Sequence, residues 1–125
     1  MPRKGMKDLS DRTPGEELWL RRRLLGFSQE EAALVLGVAH STVASWEARK
    51  GLATKAAEAL GGLPRPPGGR ATPGDLAALA RRRQGWGSFG TAERVGVSRM
   101  TLFNWERASD ERLVAFWEGR GFSFG

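Results

Sequence analysis

The sequence predicts an all-α protein built as two small helical bundles, each containing a helix-turn-helix, joined by a Gly/Pro-rich linker. A 35-residue segment recurs 59 positions later in the chain, and capping signals open segments of helical periodicity in each copy. Between the copies, residues 61–71 read GGLPRPPGGRA, which is typical of a linker. We therefore predict a basic flexible arm (1–12), a first helix-turn-helix domain (13–60), the linker, and a second helix-turn-helix domain with an aromatic C-terminal tail (72–125).

The internal repeat aligns residues 13–47 with residues 72–106 without a gap, and thirteen of the 35 aligned pairs are identical. Segments of average composition would share about two or three by chance. Several identities are turn or capping residues, and two of the others form a candidate ion pair. This pattern indicates two copies of one fold.

Helix 1 of the first copy is expected to begin after Thr13, because a proline follows this N-cap residue and Glu16 stands three positions after it. Leu18 and Leu25 lie seven residues apart on one face, and the helix ends at about Leu25. Gly26 suits the left-handed cap at its C-terminus.

Helix 2 opens at a second capping box, residues 28–31, and reaches about Leu36. Gly37 permits a sharp turn, and helix 3 covers roughly residues 40–48. A fourth helix, about residues 52–60, closes the core. Two helices joined by a three-residue turn that contains glycine are typical of a helix-turn-helix.

Composition excludes most catalytic sites. The chain has 125 residues, no Cys, no Tyr and one His. Thiolate zinc sites, multi-His metal sites, cysteine nucleophiles and the tyrosine nucleophile of recombinases are therefore excluded. No Gly-rich phosphate loop with lysine is present, and paired carboxylates fall in first helical turns, where the helix dipole explains them. We expect no enzyme activity, no metal and no cofactor.

Charge favours a polyanionic partner. Twenty Lys and Arg against 14 Asp and Glu give a net charge of +6, whose excess lies in the arm, the linker and the second copy. Solubility alone is the alternative explanation. No apolar run is long enough to cross a bilayer and the N-terminus has no apolar signal region, so a cytoplasmic, nucleoid-associated protein is expected.

The motif SQEEAA, followed by GVAHSTVASWE, resembles the phage-repressor (Cro-like, XRE) helix-turn-helix family. The segment GVSRMTLFNWE repeats the pattern in the second copy. The resemblance covers most of residues 13–60 and, through helix 3 and the aligned identities, residues 72–118. It implies a regulator of transcription that binds double-stranded DNA, typically a repressor of phage or plasmid type.

In that family helix 3 enters the DNA major groove, and its first, second and sixth residues face base edges. Arg99 would then bind guanine O6 and N7, Asn104 adenine, and Met100 a thymine methyl group. A solvated helix surface is the alternative for each position. The implied base contacts are His40, Ser41 and Ser45 in the first copy and Arg99, Met100 and Asn104 in the second.

The resemblance also implies phosphate contacts. The family uses a Gln at the start of helix 2 to hold a phosphate and brace helix 3, while hydroxyls and the cations just past helix 3 contact the backbone flank. The serine is as well explained as a surface residue, and the threonines by packing against helix 2. These positions are Gln29, Thr42, Arg49 and Lys50 in the first copy, and Ser88, Thr101 and Arg107 in the second.

Two ion pairs are expected to be structural. Arg22 with Glu47, and Arg81 with Glu106, match the family's buried bridge from helix 1 to helix 3. Such a pair adds little net stability, but loss of one partner strands a buried charge. We assign both pairs to architecture and not to DNA contact.

The second copy departs from the first. Gly87 and Gly90 lie at or inside its helix 2, and each interior glycine costs roughly 1 kcal/mol relative to alanine. In the first copy, Ala39 stands where a capping Ser or Thr is usual. An aromatic tail is expected to complete the second core, with an exposed dimer patch as the alternative. The tail comprises Leu113, Phe116, Trp117, Phe122 and Phe124.

The predicted function is sequence-specific DNA binding by two recognition helices in one chain, arranged as a pseudo-dimer on an asymmetric operator. A homodimer that binds DNA with one copy and self-associates through the other is the rival geometry. The alternative function is a protein-interaction module of antitoxin or phage-regulator type, supported by Phe103 on the outer face of helix 3. No small-molecule domain is evident. The arm would contact DNA or remain disordered.

Overall fold

The computed structural model describes residues 7–48, 53–66 and 70–124. These residues hold eight α-helices and no β-strand, which confirms the all-α class. None of the helices within these ranges has the length and apolar character needed to cross a bilayer. The helices are α1 (Pro14–Leu25), α2 (Gln29–Leu36), α3 (His40–Glu47), α4 (Ala53–Gly62), α5 (Pro73–Gln84), α6 (Ser88–Val95), α7 (Arg99–Ala108) and α8 (Glu111–Glu118).

The chain forms two compact units. The central unit comprises residues 12–70 and contains α1 to α4. The terminal unit combines residues 7–11 with residues 71–124 and contains α5 to α8. The two sets of helices follow the same offset of 59 residues, because α5, α6 and α7 begin 59 positions after α1, α2 and α3.

Capping boxes begin the first two helices of the central unit, as the sequence predicts. The Thr13 hydroxyl accepts from the Glu16 N–H, and the Glu16 carboxylate accepts from the Thr13 N–H. Ser28 and Glu31 make the same reciprocal pair before α2, and the backbone N–H of Ser28 lowers the pKa of Glu31. These bonds satisfy N–H groups that a helix start leaves unpaired, so both helix starts are confirmed.

The turns that end α1 and α2 are made by Gly26 and Gly37, which adopt φ values of 74° and 70°. Such left-handed conformations are readily adopted only by glycine. The N–H after Gly37 bonds back to the Ala33 carbonyl, which directs the chain into α3. As predicted, Ala39 gives α3 no side-chain cap.

The core of the central unit lies between its four helices. Helix α4 continues to Gly62, and Leu63 is buried in the core, so the first residues of the predicted linker belong to the packed unit. Leu52, expected at the start of this helix, lies outside the described residues. The fully or nearly buried members of this core are Leu18, Ala32, Ala33, Val43, Ala59 and Leu63.

Glycine also permits close packing between the first and third helices of each unit. A Cβ atom at Gly15 would collide with the Trp46 carbonyl, and one at Gly74 would collide with the Glu106 carbonyl. The backbones of α1 and α3, and of α5 and α7, therefore approach closely at these points. This contact fixes where the third helix crosses the first.

The terminal unit caps its helices differently. Thr72 and Asp75 form a capping box before α5. The N-cap of α6 is Gly87, which provides no side-chain hydrogen bond, whereas Ser98 caps α7 by accepting from the Thr101 N–H. Helix α7 is two residues longer than α3 and ends at a left-handed Ser109.

Aromatic side chains fill the core of the terminal unit. The buried ring of Trp117 contacts the rings of Trp86, Phe116 and Phe122 at centroid distances of 5.4, 5.1 and 5.2 Å. Aromatic pairs at these distances are stabilising beyond the area they bury. The tail therefore packs into its own unit, and the alternative of an exposed patch does not hold for Leu113, Trp117 or Phe122, which are buried.

Residues 7–11 pack within the terminal unit, unlike the flexible arm that the sequence predicts for residues 1–12. Leu9 is 0% exposed. Its N–H donates to the Ser123 carbonyl at 2.9 Å, and the Ser123 N–H donates to the Lys7 carbonyl at 2.6 Å. An apolar side chain and a short backbone pairing thus hold this segment.

Arg83 adds a second restraint on the same segment. Its guanidinium donates to the carbonyl oxygens of Asp8 and Asp11 at 2.8 and 2.7 Å. A charged donor to a backbone carbonyl forms a stronger hydrogen bond than a neutral one. One arginine on α5 therefore fixes both ends of residues 8–11.

Replacement of Leu9 tests whether residues 7–11 are part of the terminal fold. We expect Leu9→Ala to lower the free energy of unfolding of the terminal unit by about 2–5 kcal/mol, because a buried side chain is lost and a cavity remains. Hydrogen exchange followed by mass spectrometry would report reduced protection in peptides from α5 and α8. Leu34→Ala is the control, since Leu34 is 82% exposed and its loss changes stability by less than about 0.5 kcal/mol. Unchanged protection in Leu9→Ala would contradict this assignment.

The start of α8 has a predictable pH dependence. Asp110 accepts from the Arg112 guanidinium and backbone N–H, and these bonds lower the pKa of Asp110 to about 2 from 3.8. A carboxyl group whose pKa is lower in the folded than in the unfolded state stabilises the fold at pH values above its unfolded-state pKa. This contribution to stability is lost as the pH falls toward the folded-state pKa. We expect the stability difference between wild type and Asp110→Asn to be constant above about pH 5 and to decline below it. Thermal unfolding at a series of pH values measures it, and a constant difference down to pH 2 would exclude the effect.

Candidate nucleic-acid interface

The side chains predicted to face DNA bases lie at the first, second and sixth positions of α3 and α7. On α3, His40 and Ser41 are exposed and Ser45 is half-buried. The three corresponding residues of α7 are all exposed. The first two residues of each helix, His40 and Ser41 on α3 and Arg99 and Met100 on α7, therefore face solvent on the side away from the core of their own unit.

A buried ion pair anchors the far end of α3. Arg22 on α1 donates from Nε and Nη2 to the two carboxylate oxygens of Glu47 at 2.7 and 3.0 Å. Glu47 is 2% exposed. A bidentate pair of this kind fixes orientation as well as distance. The predicted structural role of this pair matches its geometry.

Gln29 connects that ion pair to the first residue of α3. Its Nε2 donates to Glu47 Oε1 at 3.0 Å, and its Oε1 lies 3.0 Å from His40 Nε2. Since an amide oxygen only accepts, the imidazole donates from Nε2 in this arrangement. Gln29, the first residue of α2, therefore braces both ends of α3, which is one half of the role predicted for it.

The terminal unit repeats the anchor. Arg81 donates to the Glu106 carboxylate at 2.9 and 3.2 Å, and Glu106 is 2% exposed. Ser88, the first residue of α6, accepts from Arg99 Nε at 3.1 Å. Each unit therefore joins the first residue of its second helix to the first residue of its third.

Two aromatic rings surround Arg99. The guanidinium carbon lies 4.1 Å from the ring centroid of Phe89 on α6 and 5.7 Å from that of Phe103 on α7. Phe89 is 70% exposed and Phe103 is 37% exposed. The sequence indicates an outward-facing Phe103. It gives no signal for Phe89, because only the packing of α6 on α7 brings that ring to Arg99.

The remaining phosphate candidates differ in surroundings. Thr42 and Thr101 are half-buried, and Thr101 Oγ1 accepts from the Ser98 hydroxyl at 3.0 Å. Arg107 is exposed near the end of α7. Arg49 and Lys50 lie outside the described residues.

The terminal unit has a further basic feature that the sequence does not predict. The guanidinium groups of Arg94 and Arg120 lie 4.3 and 4.9 Å from the ring centroid of Trp86. Both arginines are exposed. These stacked cations add positive charge beside the start of α6, on elements that are far apart in sequence.

Comparison with known proteins gives a match within the central unit. Residues 19–63 match a family model described as helix-turn-helix, and the match spans most of α1 and all of α2, α3 and α4. No curated protein and no solved structure matches the chain. The match confirms the resemblance for the first copy and indicates a DNA-binding regulator of transcription; it does not extend to the second copy.

The Arg22–Glu47 pair can be tested by single and double replacement. We expect Arg22→Met to lower the free energy of unfolding of the central unit by about 3–5 kcal/mol, because the Glu47 carboxylate loses its charged partner. The double variant Arg22→Met/Glu47→Met should recover most of this loss, since no buried charge remains. Denaturant unfolding measures both. A double variant as unstable as the single one would show that packing, and not charge, causes the loss.

Proposed function

We propose that this protein is a sequence-specific regulator of transcription, acting as a repressor, that binds double-stranded DNA with α3 and α7. The observation that carries this proposal is the bracing of each helix. A buried Arg–Glu pair fixes one end, and a hydrogen bond from the preceding helix holds the first residue at the other. A helix fixed in this way loses little conformational entropy when it enters a major groove.

Helices α3 and α7 present different hydrogen-bonding groups to DNA. His40, held through Nε2–H, keeps Nδ1 as an acceptor in its neutral form, which suits the amino groups of adenine and cytosine. Arg99 and Asn104 suit bidentate contacts with guanine and adenine. Each such contact is worth about 1–3 kcal/mol of discrimination. Two recognition helices with different side chains in one chain therefore favour an asymmetric operator that is bound by a pseudo-dimer.

Backbone contacts would come from hydroxyls and cations near the same helix ends. Arg94 and Arg120 add charge on the terminal unit. The predicted phosphate contacts that lie within the described residues are Gln29, Thr42, Ser88, Thr101 and Arg107. With a net charge of +6, binding should weaken steeply as salt rises, because phosphate contacts release counterions.

A second candidate function rests on exposed apolar side chains. Phe89 and Met100 are 70% and 69% exposed on the terminal unit, and Leu34 and Val35 are exposed on α2 of the central unit. Such residues favour a protein partner, or a homodimer that binds DNA with one unit and self-associates through the other. A protein-interaction module would bind DNA weakly and without sequence preference.

Selection of bound sites from random duplex DNA tests the proposal. We expect the intact chain to enrich a non-palindromic site and Arg99→Ala to lose the preference for one guanine, with about 1–3 kcal/mol less discrimination at that position. Arg65→Ala is the control, because it removes one exposed positive charge from the chain and should leave the enriched sequence unchanged.

The possible results separate the alternatives. Enrichment of a palindrome would indicate the homodimer geometry. Absence of any enriched sequence would overturn the proposal in favour of the protein-interaction module. Equal weakening on all sequences in Arg99→Ala would make Arg99 a phosphate or structural residue.

A further inference from the structure

The cluster around Arg99 combines a charged donor with exposed aromatic surface. Ser88 and Phe89 come from the first turn of α6, and Arg99 and Phe103 from α7. Arg99 and Phe103 stand four residues apart, so they are neighbours on one helix face. The hydrogen bond from Nε to Ser88 and the ring of Phe89 at 4.1 Å hold the guanidinium in one orientation.

This arrangement directs the donors of Arg99 outward. Nε is engaged by Ser88, so Nη1 and Nη2 are the groups that a ligand would meet. Two parallel N–H groups match the O6 and N7 acceptors of guanine in the major groove. Phe89 acts here as a positioning residue, because its ring restrains the guanidinium without needing to touch the base.

Phe103 gives the same surface an apolar component. Its ring is 37% exposed and lies 5.7 Å from the Arg99 guanidinium, one helical turn along α7. Among the major-groove edges of the standard bases, the C5-methyl group of thymine is the apolar feature. A base pair that neighbours the guanine would bring this methyl group to the ring.

We propose that the Arg99 cluster reads a guanine together with an adjacent pyrimidine that carries a C5-methyl group. Arg99 binds the guanine, Phe103 packs on the methyl group, and Ser88 and Phe89 position Arg99. The proposal rests on the proposed DNA-binding function of the terminal unit. In duplex DNA the methyl group belongs to thymine or to 5-methylcytosine.

The central unit carries no such cluster among its described residues. The positions equivalent to Phe89, Arg99 and Phe103 are occupied by Glu30, His40 and Ala44. The methyl preference therefore belongs to one half of an asymmetric site.

The test uses the duplex that the intact chain enriches from random DNA. Replacing the thymine next to the Arg99-dependent guanine by deoxyuridine removes only the methyl group. We expect wild type to bind this duplex about three- to fivefold more weakly, the effect of one buried methyl group. Phe103→Ala should bind the two duplexes equally. Fluorescence anisotropy measures the affinities, and thermal unfolding checks that each variant is folded.

Further duplexes and protein variants identify the base that carries the methyl group and the residue that contacts it. A duplex with 5-methylcytosine at this position should bind more tightly than its cytosine counterpart by the same factor, and only when Phe103 is present. Met100→Ala removes the other apolar side chain that is predicted to face a thymine methyl group, and this variant should keep the preference for thymine over deoxyuridine because Phe103 is retained. Phe89→Ala should weaken discrimination at the guanine and keep the methyl effect.

Three results would overturn the inference. Equal binding of the thymine and deoxyuridine duplexes by wild type would show that the methyl group is not read. A methyl effect lost in Met100→Ala and kept in Phe103→Ala would assign it to Met100. An enriched site with no Arg99-dependent guanine would overturn the inference about Arg99 and the methyl group and leave sequence-specific binding intact. Failure to enrich any site would overturn the proposed function itself.

Discussion

A carboxylate that is almost completely buried constrains the architecture of both units. Glu47 and Glu106 sit at the eighth position of their helices, and each needs a charged partner because an unpaired buried carboxylate is strongly destabilising. The arginine that supplies this partner comes from the first helix of the same unit. The third helix is thereby held at its far end, which leaves its first turn free to face solvent.

The two units brace that first turn with different chemistry. In the central unit one amide, Gln29, bonds both the buried carboxylate and His40. In the terminal unit the shorter Ser88 bonds Arg99, and aromatic rings provide the remaining restraint. Stacked rings and guanidinium groups also accompany the weak helix start at Gly87, where no side chain caps α6. Cation–π contacts thus take part of the role that polar side chains have in the other unit.

Local patterns predicted most of the fold. Capping boxes and the glycines at positions 26 and 37 mark helix ends through backbone chemistry that depends on neighbouring residues alone, so the bounds of α1 and α2 agree with the structure. The Arg–Glu pairs followed from the family resemblance. Helix α4 extends further than expected. Gly61 and Gly62 are poor helix formers, so an end at about residue 60 was predicted, but Leu63 packs into the core just beyond them and the helix continues to Gly62.

Contacts between segments that are distant in sequence were not predicted. Leu9 stands alone among polar residues and shows no periodicity, so nothing local indicates that it is buried. The approach of Phe89 to Arg99 depends on how two helices cross, which a single sequence does not specify. The predicted base and phosphate contacts remain predictions, although Gln29 and Ser88 lie where a bracing role requires them.

The separation of the terminal unit into two chain segments has a consequence for biosynthesis. The partner of the Leu9 amide is Ser123, so this pairing forms only after residue 123 has left the ribosome. The central unit is contiguous in the chain and can fold while synthesis continues. The central unit of a nascent chain can therefore complete its fold before the terminal unit does.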